Sequence, residues 1–160
     1  GDALAIALMH QKKFGKVDFK KFHPAGSLGK KLKTVEDIML TKNKIPFINE
    51  NSSFDKAIKL INNKKLGVAI VRNRNKETTG IFTDGDIKRF IQNQEFLKDL
   101  KIKSFMTKNP ISVDKDILAA KAIGIMNEKK ITSLCVHSKI NQKKTIGIIH
   151  IHNLISVNLI

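Results

Sequence analysis

Residues 57–71 read AIKLINNKKLGVAIV, and residues 122–136 read AIGIMNEKKITSLCV. At a constant shift along the chain, an Ala-Ile pair, one Asn, a Lys-Lys pair and the final Val recur in place. The flanks repeat as well, in the pairs Met39 with Met106, Pro46 with Pro110, and Gly80-Ile81 with Gly147-Ile148. Such self-similarity indicates two copies of one structural unit, and two copies are too few for a solenoid.

Each copy has the same predicted order of elements: short helix, short strand, helix, strand, strand, helix. The first long helix has Ser52 and Asp55 in capping-box register, and it carries an apolar stripe at Phe54, Ala57, Ile58 and Ile61. Two small sheets with flanking helices can bury their faces against each other about a pseudo-two-fold axis. We therefore predict an α/β (α+β) fold with one unit at 35–98 and a second at 99–160, preceded by an N-terminal helical linker at 1–34.

The end of the first unit brings two polar side chains to a strand–helix junction. Residues 80–90 read GIFTDGDIKRF, so Thr83 and Asp86 stand at the predicted helix start. Exposed N–H groups there favour an anion such as phosphate, and a carboxylate one turn away can accept hydrogen bonds from a ribose diol. The alternative is an ordinary helix cap, in which Thr83 or Asp84 bonds a free N–H and nothing binds.

The formal net charge of +16 raises the question of nucleic-acid binding. Of the 30 basic residues 27 are lysine and three are arginine, whereas groove readers and phosphate clamps rely on arginine. The lysines are spread in pairs, and no Trp or Tyr is present to stack on bases. We therefore expect no nucleic-acid partner. Since no apolar run approaches the roughly 18 to 20 residues of a membrane span, we expect no membrane partner either.

The single cysteine, Cys135, lies in the apolar run 133–136, which indicates a buried structural thiol. One cysteine cannot form a disulfide within the chain, and this fits a reducing, cytoplasmic compartment. No metal site is predicted.

The N-terminal segment begins with residues 3–9, ALAIALM, which favour a helix that is apolar around its whole circumference. Such a helix expects burial on all sides, so we infer a missing preceding domain and predict self-association into a dimer or tetramer. Further along, His23 stands before Pro24 and is held extended, a geometry that can point the imidazole outward. The alternative is a loop histidine without a role.

The repeat resembles a pair of CBS motifs, a Bateman module. In that family a Thr/Ser-x-x-Asp at the last strand–helix junction holds the ribose of an adenosyl or related nucleotide. Thr83 and Asp86 match this pattern. The resemblance therefore implies a ligand site at these two residues, with Ile45, Gly67 and Val68 flanking the base.

The second unit departs from that pattern, because His150 and Asn153 stand at the equivalent places and the ribose-holding carboxylate is missing. Asn153 can still bond a hydroxyl, and a protonated His150 can meet a phosphate. We expect a vestigial second cleft.

The N-terminal segment narrows the family. Residues 1–5 (GDALA), 18–19 (DF), 23–32 (HPAGSLGKKL) and 35–39 (VEDIM) resemble, in order, the segment that joins the sugar-isomerase (SIS) domain to the CBS pair in KpsF/GutQ-type D-arabinose 5-phosphate isomerases. The resemblance covers the whole chain, with Ala25 where the family usually has a second Gly, and it implies that residues 1–34 are the C-terminal end of the SIS domain and the linker. The family's proposed active-site histidine lies in this turn, and His23 matches it.

The resemblance implies a function. These enzymes interconvert D-ribulose 5-phosphate and D-arabinose 5-phosphate on the way to Kdo for lipopolysaccharide or capsule. Proton abstraction next to a carbonyl needs an acid/base group of near-neutral pKa, and the sugar-phosphate site would lie in the SIS domain. We therefore expect the regulatory and oligomerising CBS pair of such an isomerase, inactive without its own SIS domain. No cofactor is required, and the expected effector is an adenosyl nucleotide or a cytidine-activated sugar.

Two other hypotheses stay open. One is a stand-alone CBS-pair adenine-nucleotide sensor that serves another enzyme or transporter, although the segment at 23–32 and the apolar helix argue against it. The other is a nucleic-acid binder driven by charge, which a steep loss of affinity with salt would reveal.

Overall fold

The computed structural model describes residues 32–93 and 100–160. The predicted helix at 3–9 and His23 lie outside the described residues. The first unit runs through α1 (Val35–Ile38), β1 (Phe47–Asn49), α2 (Phe54–Lys64), β2 (Val68–Arg72), β3 (Thr78–Thr83) and α3 (Asp84–Gln92). The second runs through β4 (Thr107–Lys108), β5 (Ser112–Asp114), α4 (Ala119–Lys129), β6 (Ser133–His137), β7 (Gly147–His150) and α5 (Ile151–Ser156). Short 3-10 turns at Lys42–Lys44 and Ile102–Ser104 precede β1 and β4.

Two small sheets carry the fold, as the repeat predicts. One has the strand order β1-β2-β3-β4 and the other the order β5-β6-β7. In each unit the first pair of strands is parallel and the second antiparallel, so β2 and β6 are central strands. Burial on both faces explains why β2 reads as the continuous apolar run Val68–Val71 and not as an alternating pattern.

The two units exchange their leading segments. β4, at the start of the second unit, pairs with β3 of the first sheet. In the same way Leu40, ahead of β1, forms an antiparallel bridge with Ile148 of β7, with N···O distances of 2.8 and 3.0 Å. Val35 of α1 is consequently fully buried in the core of the second unit, and Ile102 in the core of the first. Each unit therefore depends on the other for part of its core.

The cores are built from the predicted apolar faces. In the first unit the rings of Phe54, Phe82 and Phe105 meet edge to face, with centroid distances of 5.4 and 6.1 Å from Phe54. A central cluster joins the two sheets and consists of Ile45, Val68, Ile70, Cys135 and Ile148. Apart from Ile45, this cluster lines the cleft between the two units.

Two local sequence predictions are off by one residue. The N-cap of α2 is Ser53, whose Oγ accepts from Lys56 N at 3.3 Å, and not Ser52. The carbonyl of Pro46 accepts from Ile70 N and that of Ile111 from Cys135 N, so Pro46 corresponds to Ile111 and not to Pro110. By the same register Ile45 is the counterpart of Pro110. Among the described residues no helix is long and apolar enough to cross a membrane.

Candidate functional site

A cleft of about 710 Å³ opens where the two units meet. It lies at the end of the sheets where β2 and β6 begin and β3 and β7 end, and its floor is formed by Val68, Ile70, Ile81, Cys135 and Ile148. Its volume falls within the roughly 300–1,000 Å³ typical of small-molecule sites. An apolar floor with polar groups at the strand ends is the usual construction of such a site.

One wall of the cleft is the junction of β3 and α3, where the predicted Thr83 and Asp86 form a capping box. Thr83 Oγ1 accepts from Asp86 N at 3.3 Å, and Asp86 Oδ2 accepts from Thr83 N at 2.9 Å and from Thr83 Oγ1 at 3.1 Å. The guanidinium of Arg89 donates to Asp86 Oδ1. The cap hypothesis is thus correct as local structure.

The cap does not exclude a ligand, because the start of α3 faces the cleft. Thr83, Asp84 and Gly85 line it, whereas Asp86 is 3% exposed and lies behind them. The side chain of Arg89 is 66% exposed, so its contact with Asp86 can be exchanged for another donor with little cost in packing.

Of the three residues expected to flank the base, two line the cleft and one does not. Gly67 and Val68 line the cleft. Gly67 has φ +69°, and a Cβ there would lie 2.9 Å from Asp84 Oδ2, so the turn before β2 requires glycine. Ile45 is not among the lining residues; it is 5% exposed and packs in the central cluster. Its counterpart Pro110 lines the cleft instead.

Several lining residues were missed by the sequence analysis because they belong to the other unit. The second unit contributes Asn109, Pro110, Ile111, Ile131, Thr132 and Ser133. The repeat itself holds the signal that could have found them, since Leu66–Val68 correspond to Ile131–Ser133. What the repeat cannot show is which copy completes which site.

The charged groups of the cleft are mainly basic. Lys65 and Lys130 occupy matching αL positions at the ends of α2 and α4, and both line the cleft. Among the described residues neither ammonium forms an ion pair, and Asp84 is the one carboxylate among the lining residues. This balance favours an anionic ligand.

At the second junction, His150 and Asn153 form the corresponding cap. Asn153 Oδ1 accepts from His150 N at 2.9 Å, and His150 Nδ1 accepts from His152 N at 3.1 Å. Because a backbone N–H always donates, Nδ1 carries no proton and the neutral ring is protonated on Nε2. Burial, and then the nearby His152, lower the pKa of His150 below its ordinary value, against the effect of a hydrogen bond to the backbone of Leu66.

Cys135 lies in the floor of the cleft and is 4% exposed, as the apolar run around it predicted. Burial raises the pKa of its thiol to about 11, although a hydrogen bond with Thr145 acts in the opposite direction. At neutral pH the group is therefore a protonated thiol and a poor nucleophile.

Comparison with known proteins agrees with this architecture. The family model described as "CBS domain" matches residues 35–93 and 102–159. The fold is also that of solved CBS structures: CBSX2 in complex with AMP has a TM-score of 0.67 at 23% identity, covering 79% of this chain and 96% of that one. The CBS domain protein PAE2072 from Pyrobaculum aerophilum, complexed with AMP, has a TM-score of 0.67 at 18% identity, covering 76% and 90%.

Curated relatives match along the whole chain. Arabinose 5-phosphate isomerase KdsD of Francisella tularensis is 41% identical over 160 residues, which are 99% of this chain and 48% of that protein. KdsD of Escherichia coli K12 is 35% identical over 161 residues, 100% of this chain and 48% of that protein. The chain thus spans about half the length of these relatives. It belongs to the CBS-domain family, as a tandem pair of CBS domains related over its whole length to KpsF/KdsD-type proteins.

Proposed function

We propose that this CBS pair binds a nucleotide effector in its cleft and thereby regulates a D-arabinose 5-phosphate isomerase of which it is part. Two kinds of similarity support the proposal. The relatives that match the whole chain at 35–41% identity include the arabinose 5-phosphate isomerases KdsD of Francisella tularensis and Escherichia coli. Structures with the same fold have been solved with AMP, and one CBS pair, that of protein MJ0100, with 5'-methylthioadenosine and S-adenosyl-L-methionine at a TM-score of 0.68.

The observation that carries the proposal is the composition of the cleft around Thr83. A nucleotide needs apolar walls for its base, hydroxyl and carboxylate groups for its ribose, and positive charge for its phosphate. Pro110 and Ile111 of the second unit supply apolar surface to the same cleft that Thr83 lines. Lys65 and Lys130, which form no ion pair within residues 32–93 and 100–160, supply positive charge at the same cleft.

The ribose contact is proposed at Asp86. Its Oδ2 already accepts two bonds from Thr83, so the free capacity lies at Oδ1, where Arg89 now donates. A ribose diol would replace Arg89 there and gain a charge-assisted hydrogen bond. The released guanidinium, already mostly in solvent, would then be available to a phosphate.

We propose that catalysis takes place in the other half of the parent protein, outside this chain. There the sugar phosphate would bind, with His23 contributing to the active site of the intact enzyme. The segment that leads from His23 into the described structure ends in α1 and Leu40, which bridges to β7. A ligand that shifts the strand ends around the cleft would therefore act on the connection between the two halves.

A titration of the 160-residue chain with AMP tests nucleotide binding directly. At 100 times the dissociation constant, a ligand that binds only the folded chain adds about 2.7 kcal/mol to the free energy of unfolding. We expect a rise in melting temperature that saturates with AMP, and CMP measured in parallel distinguishes an adenine from a cytidine effector. Absence of any shift with both nucleotides at millimolar concentration would refute the proposed binding.

A further inference from the structure

The cleft contains one side-chain amide that the proposed function does not use. Among the described residues that line the cleft, Asn109 alone carries an amide. The residue is exposed, and its side chain forms no hydrogen bond within residues 32–93 and 100–160. Small-molecule sites combine apolar surface with a few placed polar groups that fix the orientation of the ligand. A free amide in a cleft with an apolar floor is therefore a candidate for such a group.

Asn109 stands at the bend of the segment that crosses from the first sheet to the second. Before it, β4 pairs with β3 at the edge of the first sheet. After it, the carbonyl of Ile111 accepts from Cys135 N in β6. Asn109 itself has φ +53°, in the left-handed region that residues other than glycine rarely adopt and that asparagine tolerates well. Strand pairing on both sides thus holds this residue between the two sheets.

The surroundings of Asn109 suit a nucleobase. Pro110 and Ile111 follow it directly and add apolar surface to the cleft. The segment starts beside β3, the strand that ends at Thr83, where the ribose contact is proposed. A base joined to that ribose is therefore expected against this segment. The first unit has no amide at the corresponding place, because the register makes Lys44 the counterpart of Asn109.

We propose that the amide of Asn109 recognises the edge of the base, and that the nucleotide carries an amino-substituted base such as adenine or cytosine. A planar amide presents a donor and an acceptor side by side. The exocyclic amine and the adjacent ring nitrogen of these bases offer the complementary pair, as when asparagine recognises adenine in nucleic acids. The hydroxyls of Thr107 and Ser133, which also line the cleft, cannot form this paired contact. The inference rests on the proposed function, because it concerns the base of the same nucleotide.

Asn109→Gly tests the inference, because it removes the amide while glycine adopts the positive φ of the bend freely. Asn158→Gly is the matched control. Asn158 also has a positive φ, of +59°, and is exposed without a side-chain hydrogen bond among the described residues, but it does not line the cleft. Each protein is titrated by calorimetry with AMP and with purine riboside 5'-monophosphate, which lacks the exocyclic amine. We expect the wild type and Asn158→Gly to bind AMP about two- to tenfold more tightly, the worth of one neutral hydrogen bond, and Asn109→Gly to bind both equally.

The outcomes separate this inference from the proposed function. If AMP binds but the wild type does not prefer it, or if Asn109→Gly keeps the preference, the inference is overturned while nucleotide binding stands. If neither nucleotide binds the wild type, the proposed function is refuted and the inference with it. In the NMR spectrum of the ¹⁵N-labelled wild type, the side-chain NH2 signals that are absent from Asn109→Gly should shift when AMP is added. Unchanged signals at saturating AMP would also overturn the inference.

Discussion

Gly80 of β3 faces Met106 so closely that a Cβ at position 80 would lie 2.8 Å from Met106 Cγ and 2.7 Å from the carbonyl oxygen of Thr107. The second unit repeats this relationship, since a Cβ at Gly147 would lie 2.9 Å from Met39 Cγ. Each glycine thus lets the leading segment of the opposite unit pack against the strand. The methionines and glycines that recur in the sequence therefore contact each other across the two units, Met106 with Gly80 and Met39 with Gly147.

Gly80→Ala is expected to destabilise the protein by about 1 to 3 kcal/mol, the usual range for overpacking, because one of the clashing atoms is backbone. Gly124→Ala is the matched control: this helical glycine is exposed and a Cβ there meets nothing within 4 Å. It should stabilise by about 0.5 to 1 kcal/mol. Urea unfolding monitored by circular dichroism measures both. If Gly80→Ala is as stable as the wild type, the two segments are not packed as described.

The sequence does not predict that the two units exchange their leading segments. The repeat was enough to predict two units, their order of elements and the junction at Thr83, because periodicity and turn residues are local signals. It could not assign Val35 to the core of the second unit, since both copies offer similar apolar faces. The sequence also predicted that Ile45 flanks the base; in the structure Ile45 packs in the central cluster, and its counterpart Pro110 lines the cleft.

Asp86→Ala should weaken AMP binding more than tenfold, because a lost charge-assisted hydrogen bond costs on the order of 1.5 to 3 kcal/mol. The substitution also lowers stability, because it removes the N3 member of the capping box and the two hydrogen bonds that Asp86 Oδ2 accepts from Thr83. A matched control separates the two effects. Asp37 caps α1 in the same geometry, accepting from Thr34 N at 2.8 Å and from Thr34 Oγ1 at 3.1 Å, and it does not line the cleft.

Asp37→Ala should therefore lower stability without changing the affinity for AMP. Isothermal titration calorimetry on both variants, alongside their urea midpoints, gives the comparison. Equal affinities in Asp86→Ala and the wild type would remove Asp86 from the proposed ribose contact, and equal losses in both variants would trace the effect to stability alone.

His150 should make the protein less stable in acid. The free energy of unfolding should fall as the pH drops below about 6.5, the ordinary pKa of histidine. Since the pKa of His150 is lowered in the folded chain, the unfolded chain binds a proton that the folded chain does not, and protonation favours unfolding. The slope contributed by one such group is at most about 1.4 kcal/mol per pH unit, and above pH 6.5 the contribution is fully present and constant.

His150→Asn provides the comparison, because an amide oxygen can accept from His152 N in place of Nδ1 but does not titrate. Urea midpoints at pH 7.5 and 5.5 should differ more for the wild type than for the variant. Parallel pH profiles for the two proteins would mean that other groups cause the acid sensitivity.

The 160-residue chain alone is expected not to interconvert D-ribulose 5-phosphate and D-arabinose 5-phosphate. His23 is its single candidate for the active site, whereas the reaction needs a sugar-phosphate site and a full acid/base set around the carbonyl. The assay follows both sugar phosphates by NMR, with the KdsD protein of Escherichia coli as the positive control. Measurable conversion by the purified chain would show that the catalytic groups lie within these residues.

The chain is expected to self-associate, and two surfaces can contribute. Residues 3–9 lie outside the described residues, and their sequence predicts an all-apolar helix that would expose several hundred Å² in water. At roughly 25 cal/mol per Å² this amounts to several kcal/mol in favour of a partner, and the same helix of a second chain fits across a two-fold axis. The second surface consists of α3 and α5, whose outer sides we call the CBS faces. They carry exposed apolar side chains: Ile91 of α3 is 64% exposed and Ile155 of α5 is 49% exposed.

Sedimentation velocity of three proteins separates these contributions: the full chain, a shortened chain beginning at Leu32, and a full-length variant with Ile91→Lys and Ile155→Lys. Starting at Leu32 keeps this buried residue and the bond from Ala119 N to the carbonyl of Lys33, at 2.8 Å, so the second core stays intact. We expect the full chain to be a dimer or larger. If only the shortened chain dissociates, the apolar helix holds the oligomer together; if only the lysine variant does, the CBS faces do. A full chain that is monomeric at micromolar concentration would contradict self-association altogether. It would mean that the several kcal/mol expected from burying the apolar helix at 3–9 do not drive association.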